Sequence, residues 1–457
     1  LKKVPLFDHV GSYGLFFTDE YELKCYLNKK DINNQYKLFF GGTKHDTDID
    51  FVNYISLSKY NNYLHPNLPN WIKDENSFNR CISKEYSEVL PKSAEIITTL
   101  NCCFRCEQCS YQKVKINNNL WYEKSNNYSY TFNMNQENVK PIIDKLSSVE
   151  NVVFTGGGEP LINTNATLLG MKYAKKKGLN VGLYTNGYLL SDSVIENILT
   201  IEPLFVRISI YGVDSTSFSN YTNTPKSNYN IVIKNIRSLI NKKELTHSKT
   251  KIAISFLVHP LLFPQPESII NFFQQTFTNE ELSNIEYIRF TPAVNYDGIQ
   301  QHEYSFFKKI CEIVDQLSQK YHNITHFVFY EHRLNDLYTP KEYSACLGNG
   351  FFAEVAPNGD MYFCCEKLMD KDYYIGNLID KSMYDIYHGK LRKEINNRIN
   401  SDSCDKCPSL CKPHEINKQL NILNNLDESS IQNWRTELMA IAENETIYSG
   451  AFNGFES

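Results

Sequence analysis

Residues 102–109 read C-C-F-R-C-E-Q-C, and no other stretch restricts this 457-residue chain so tightly. Cys102, Cys106 and Cys109 are spaced C-x3-C-x2-C, so three thiolates from one short loop can converge on a single centre. A cube-shaped iron–sulfur cluster takes four ligands, and thiolate sulfur is the soft donor that iron prefers. Three cysteines leave one iron open to a group that is not protein. Zinc is the competing reading of the same loop. A structural zinc site needs four protein ligands, and the fourth would come from a distance, because Cys103 is expected to point away from its neighbour Cys102. Spacing alone leaves both readings open.

The chain around the loop narrows the choice of fold. Residues 94–100, 151–155, 179–184, 205–211, 251–258 and 285–290 read as short apolar strands. Between and after them, residues 165–177, 192–199, 230–240, 267–277 and 303–321 carry helical patterns. Strands alternating with helices are βα units, which build a parallel sheet or barrel. Six such strands predict an α/β fold, a partial (β/α)6 TIM-like barrel. Polar and glycine-bearing stretches fall at strand C-terminal ends, where such barrels place their active sites. The cysteine loop follows the first strand, Gly156-Gly157-Gly158-Glu159-Pro160 the second, and Thr185-Asn186-Gly187 the third.

Composition excludes several classes of partner. A net charge of −5 without a basic stripe predicts no nucleic-acid footprint. The densest basic run, Lys175 to Lys177 before Gly178, reads as a solvated helix end, where lysines complement the dipole and a glycine stops the helix. The longest apolar candidate, residues 254–263, is interrupted by His259 and Pro260 and falls short of the roughly 20 residues of a membrane span. No signal-peptide pattern follows Leu1. Thirteen cysteines, an odd number in tight clusters, argue against a secreted disulfide framework. The expectation is a reduced, cytoplasmic, metal-binding protein.

The three-cysteine loop after the first strand, joined to a GGEP sequence after the second, resembles the radical S-adenosylmethionine (SAM) enzyme superfamily over residues 94–294. The resemblance implies that Cys102, Cys106 and Cys109 hold a 4Fe–4S cluster whose open iron is chelated by the amino and carboxylate groups of SAM. Gly156, Gly157, Gly158, Glu159 and Pro160 would bind the cofactor, with Gly157, Gly158 and Glu159 meeting the methionine amino group, since glycines permit close backbone approach and a carboxylate or carbonyl accepts from an ammonium. Asn186 and Ser209 stand where the family contacts the SAM ribose and carboxylate, although a turn-forming Asn before Gly187 is equally ordinary. Arg207, two residues before Ser209, is expected on the same strand face. The family often has an aromatic residue before the last cluster cysteine, near adenine. Here that residue is Gln108, so the adenine contact does not carry over, and Tyr111 is the substitute to consider.

A second cysteine region runs from Cys346 to Cys411. Cys346, Gly359 and Cys364 form C-x12-G-x4-C, and Cys404, Cys407 and Cys411 follow about forty residues later. This resembles the auxiliary-cluster extensions called SPASM and Twitch. It implies one auxiliary 4Fe–4S cluster on Cys346, Cys364, Cys404 and Cys407, with Cys411 as the alternative fourth ligand. Four cysteines also close a zinc shell, so zinc competes here as well. Residues 355–363, with Pro357-Asn358-Gly359-Asp360 at the tip, read as a β-hairpin that carries Cys364. Cys365 is expected to face away from the cluster, as a buried thiol or a hydrogen-atom donor. Cys25, Cys81, Cys103 and Cys311 are isolated and read as core or surface residues.

The expected organisation is an N-terminal extension over residues 1–91, a radical SAM barrel over 92–325, a SPASM/Twitch-like domain over 326–415, and a C-terminal helix and tail over 416–457. The extension is rich in short aromatic segments. Packing element and substrate-recognition module are equally open for it. The resemblance implies reductive cleavage of SAM to a 5′-deoxyadenosyl radical that abstracts a substrate hydrogen, with electrons from a flavodoxin- or ferredoxin-type donor. A ribosomally made peptide, modified for example by a cross-link, is the leading substrate. A small-molecule dehydrogenase or epimerase, for instance on a sugar, is the alternative, and a non-catalytic iron–sulfur or zinc scaffold the remote one.

Overall fold

In a computed structural model, residues 89–109, 133–294, 302–329, 334–341, 343–399, 404 and 406–424 are described. The N-terminal extension up to residue 88, with Cys25 and Cys81, lies outside them. So do Tyr111 and the C-terminal segment after residue 424.

Seven strands lie side by side in chain order, each parallel to the next: β1 (Ser93–Ile97), β2 (Asn151–Thr155), β3 (Asn180–Thr185), β4 (Phe205–Ile210), β5 (Lys251–Val258), β6 (Ile285–Pro292) and β7 (His326–Phe329). Their outward residues, among them Ile96, Phe154, Leu183, Ile208, Ile254 and Ile288, are buried against the helices that connect the strands. These helices are α1 (Gln136–Asp144), α2 (Thr164–Lys176), α3 (Asp192–Ile201), α4 (Ser215–Thr222), α5 (Ser227–Thr246), α6 (Ser268–Thr276), α7 (Asn279–Ser283) and α8 (Tyr304–Lys320). Alternation with period two sends the intervening residues to the other face. There Val153, Phe205, Ala253, Tyr287 and Val328 form a separate apolar cluster.

The six expected strands are all present, and a seventh, β7, joins β6. Its four residues, HFVF, were too short and too close to a helix to read as a strand. β7, at residues 326–329, therefore extends the parallel array by one strand beyond the six expected. The sequence also passes over α1 and α4. α1 carries Pro141 in its interior, and α4 is rich in Ser, Thr and Asn, which favour caps and turns over helix interiors.

The C-terminal region continues the same sheet. β8 (Phe352–Val355) pairs parallel with β1, β9 (Asp360–Tyr362) antiparallel with β8, and β10 (Tyr374–Asn377) antiparallel with β9. The order is β10-β9-β8-β1-β2-β3-β4-β5-β6-β7, an open sheet as a partial barrel requires. The expected hairpin is the β8–β9 unit. Gly359 turns it at φ 85° and donates its N–H to the Ala356 carbonyl at 2.9 Å. Helices α9 (Met383–Tyr387), α10 (Lys390–Arg398) and α11 (His414–Asn424) complete the described chain. Because β8 lies beside β1, the second cysteine region sits on the strand that leads into the first.

At the end of α2, Lys175 pairs with Glu202 at 3.6 Å and Lys177 with Asp144 at 2.9 Å, all partly exposed. This is the solvated helix end expected of the run.

Candidate active site at the strand ends

The cysteine loop is held by hydrogen bonds that its own sequence does not advertise. A helix leaves its last carbonyls without intrahelical partners. Here the Arg105 N–H donates to the Thr222 carbonyl at 2.8 Å and the Glu107 N–H to the Tyr221 carbonyl at 2.9 Å, so the end of α4 and the loop satisfy each other. Asn223, left-handed at φ 51°, closes the helix and donates its side-chain amide to the Arg105 carbonyl at 2.9 Å. Phe104 anchors the loop from below. It is 1% exposed, with Phe218 at 5.4 Å, Tyr188 at 5.7 Å and Tyr211 at 6.2 Å between ring centroids.

Cys102, Cys106 and Cys109 are half-buried and free of disulfides. Burial, and then the neighbouring Cys102 and Cys109, push the Cys106 thiol well above its ordinary range. The hydrogen bond to Cys103, and then burial, do the same to Cys102. Three thiols crowded in this way ionise together only if positive charge arrives among them, which is what iron supplies.

Cys103 does not point away from Cys102 as expected. The Asn186 side-chain amide donates to Cys103 Sγ at 3.3 Å and lies 3.8 Å from Cys102 Sγ. The extended-chain rule that neighbouring side chains diverge fails because this loop is neither strand nor helix.

The glycine turn after β2 packs directly on the start of the cysteine loop. The Glu159 N–H donates to the Asn101 carbonyl at 2.8 Å, and a Cβ on Gly158 would lie 2.0 Å from that same oxygen. Gly157 takes φ 114°, and a Cβ there would meet Leu100 at 2.6 Å. Only glycines allow this approach. The Glu159 side chain turns inward and is 2% exposed. It accepts from the Leu161 N–H at 3.1 Å, the Thr185 hydroxyl at 2.7 Å and the Asn186 N–H at 2.7 Å. Burial raises it to about 7 against the pull of these donors. The carboxylate thus ties the β2 turn to the β3 end, which leaves backbone carbonyls as the acceptors this turn can offer an ammonium. Pro160 opens a short 3-10 turn, Pro160–Asn163, capped by Glu159.

Asn186 is 6% exposed, and its side-chain carbonyl accepts from the Tyr188 N–H at 3.0 Å. Ser209 and Arg207 are half-buried on one face of β4, two residues apart as expected. The Arg207 guanidinium lies 3.6 Å from the centre of the Tyr184 ring, and Ser209 pairs in register with Ser255.

Two histidines that sequence reasoning missed complete the rim. Gln108 Nε2 lies 3.0 Å from His259 Nε2, which lies 3.2 Å from His302 Nε2. The Leu261 N–H donates to His259 Nδ1 at 3.1 Å, so in the neutral ring the proton is on Nε2. Burial, and then His302, lower His259 to about 4. Gln108 Oε1 is buried without a hydrogen bond. Turning the amide over would place that oxygen opposite the His259 N–H. The signal was His259 immediately after β5, at the same end of the sheet as the other motifs.

In the C-terminal region Cys346, Cys364, Cys404, Cys407 and Cys411 all line one cavity, with Lys341, Tyr343, Glu366 and Asn417. Both candidates for the fourth ligand are therefore present. Cys411 is 4% exposed, and burial pushes its thiol up to about 12. Cys407 is half-buried. The Asn417 amide donates to Cys346 Sγ at 3.5 Å, and Lys341 Nζ donates to the Cys404, Cys407 and Pro408 carbonyls at 3.3, 3.2 and 2.7 Å. Five soft donors around a cavity suit a group larger than one ion. Cys365 lines an adjoining cavity, and Cys311 is buried in the core.

Comparison with known proteins agrees with this geometry. The model of the radical SAM superfamily matches residues 96–250, and that of the SPASM iron–sulfur cluster-binding domain matches residues 346–408. No curated protein sequence matches the chain. Among solved structures, SuiB of Streptococcus suis bound to S-adenosylmethionine is similar at a TM-score of 0.51 and 14% identity, over 82% of this chain and 80% of that one. SuiB bound to its precursor peptide SuiA is similar at a TM-score of 0.50 and 13% identity, over 86% and 89%. Among the described residues no helix is long and apolar enough to cross a membrane. The chain is a radical SAM enzyme of the SPASM type, dependent on SAM, a 4Fe–4S cluster and an auxiliary cluster.

Proposed function

We propose that this enzyme modifies a ribosomally made peptide, for example by forming a cross-link. One observation carries the reading: the fold is shared over most of both chains with a protein whose crystal structure holds a precursor peptide. With SAM held at the open iron, the reduced first cluster would pass one electron to SAM, whose carbon–sulfur bond would break to give methionine and a 5′-deoxyadenosyl radical, and the protein's task is to place one substrate C–H bond against that radical and keep out water. Electrons come from a flavodoxin- or ferredoxin-type partner.

Within this reading Cys102, Cys106 and Cys109 hold the first cluster. The backbone of Gly156, Gly157, Gly158 and Glu159 receives the methionine ammonium, Pro160 fixes the turn, and Glu159 orients Asn186 from behind. Asn186 and Ser209 present polar groups to the rest of SAM. Cys346, Cys364 and Cys404 hold the auxiliary cluster, with Cys407 or Cys411 as the fourth ligand. Support comes from the convergence of the strand-end residues on one rim and of the five cysteines on one cavity.

Co-expression with a short precursor peptide encoded beside this chain tests the substrate class. The expected product is the peptide lighter by two hydrogens, with the new bond located by fragmentation. An unchanged peptide, with 5′-deoxyadenosine formed only when a sugar or other metabolite is supplied, would overturn the peptide reading.

A further inference from the structure

Lys341 ligates no cluster, yet it is tied to the loop that carries three of the five cysteines of the C-terminal cavity. Cys404, Cys407 and Cys411 lie on two successive turns. The Cys407 N–H donates to the Cys404 carbonyl at 3.1 Å, and the Cys411 N–H to the Pro408 carbonyl at 3.1 Å. The carbonyls that close both turns, with that of Cys407 between them, gather on one ammonium. Lys341 Nζ donates to Cys404, Cys407 and Pro408 at 3.3, 3.2 and 2.7 Å. An ammonium has three N–H groups, and these three acceptors meet them all. Lys341 stands shortly before Cys346 in the chain, so one backbone segment brings both the ammonium and a thiol to the cavity.

The other charged groups around this cavity have partners of their own. Glu366 and Lys367, neighbours in the chain, both line it and bring one charge of each sign. Lys367 lies over the Tyr373 ring at 5.0 Å, and Arg398 over the same ring at 5.3 Å. Nearby, Lys412 pairs with Glu95, and Lys418 and His414 pair with Asp336. Among the described residues no carboxylate forms an ion pair with Lys341, whose hydrogen bonds all go to neutral carbonyls. Its charge is therefore offered to the five thiols of the cavity. A thiolate-bound iron–sulfur cluster gains one negative charge on reduction, and the charge and hydrogen bonds around it set how readily it does so. A cation held close to it, out of bulk water, favours the more negative state. The Asn417 amide, which donates to Cys346 Sγ at 3.5 Å, adds a dipole of the same sense.

We propose that Lys341 is a positioning residue of the auxiliary cluster: it gathers the loop that carries Cys404, Cys407 and Cys411, and its charge favours the reduced cluster. This rests on reading the five-cysteine cavity as the auxiliary-cluster site. On reduction one electron enters the cluster, and no proton or ligand is exchanged. The substrate radical gives that electron in turnover, and a chemical reductant gives it in the test. Lys341 touches no reacting atom.

The experiment is a mediated redox titration of the reconstituted enzyme, with each cluster followed by its paramagnetic signal, for wild type, Lys341→Gln and Lys341→Arg. Lys341→Gln keeps N–H donors without the charge, and Lys341→Arg keeps both. In Lys341→Gln the ratio of reduced to oxidised auxiliary cluster at a fixed potential is expected to fall about tenfold, a shift of about 59 mV for one electron. Lys341→Arg should stay near wild type, and the first cluster should keep its potential in all three proteins. An auxiliary cluster that loads into Lys341→Arg but not into Lys341→Gln also supports the proposal, because the charge is then needed to hold it. Equal potentials in wild type and Lys341→Gln, or a potential in Lys341→Arg as low as in Lys341→Gln, overturn the proposal. Loss of the auxiliary cluster from both variants overturns it too, since the charge alone would then not suffice. An auxiliary cluster that never loads into wild type overturns instead the reading on which the proposal rests.

Discussion

The Glu159 carboxylate accepts the backbone N–H of Asn186 at 2.7 Å while its own N–H reaches the Asn101 carbonyl at 2.8 Å. One residue thus joins the ends of β1, β2 and β3. Glu159→Gln keeps one acceptor oxygen and turns an amide donor toward one of three donors. Leaving a buried donor unmet costs roughly 1–3 kcal/mol. Glu159→Gln is expected to unfold at lower denaturant and to bind SAM more weakly, as equilibrium unfolding and calorimetry would show.

Gly158→Ala tests the same junction sterically. Its Cβ would lie 2.0 Å from the Asn101 carbonyl oxygen, which belongs to the backbone and cannot swing aside. The loop must shift, at a cost at or above the roughly 1–3 kcal/mol of ordinary overpacking. SAM cleavage should fall much further than stability. Gly178→Ala, with open space around it, should strain the backbone at φ 83° yet leave cleavage intact.

The residues that carry chemistry were legible because their spacing is local. C-x3-C-x2-C, GGGEP and C-x12-G-x4-C each sit within one loop or hairpin, and strand periodicity placed the three motif-bearing ends after β1, β2 and β3 on one side of a parallel sheet. What stayed hidden depends on distant partners. Thr222 and Tyr221 hold the cysteine loop from more than one hundred residues away, and His259 meets Gln108 across 151 positions. The inward turn of Glu159 and the meeting of Cys103 with Asn186 are equally tertiary. β7 and the pairing of β8 with β1 required knowing where the sheet had room.

Acid should loosen the rim through His259. Burial holds its folded value at about 4, below an ordinary value of 6.5. The unfolded chain therefore binds more protons between these values, and stability falls as pH drops through that window, by at most about 3 kcal/mol. Melting temperatures of wild type and His259→Gln across the window should converge at acid pH. A parallel decline in both proteins would remove His259 as the cause.

Iron content separates the two cysteine sets. Wild type should hold about eight irons per chain as two 4Fe–4S clusters, and Cys346→Ala about four, with SAM cleavage retained. Between Cys407→Ala and Cys411→Ala, the variant that drops to about four identifies the fourth ligand. One zinc and about four irons in the wild type would mean that no auxiliary cluster forms.

The most direct test of the account is SAM cleavage by the anaerobically reconstituted enzyme under reduction, assayed as 5′-deoxyadenosine, for wild type and Cys106→Ala. The account predicts 5′-deoxyadenosine and methionine in equal amounts from wild type and none from Cys106→Ala. No 5′-deoxyadenosine from wild type with its clusters loaded, or equal yields from both proteins, would contradict it.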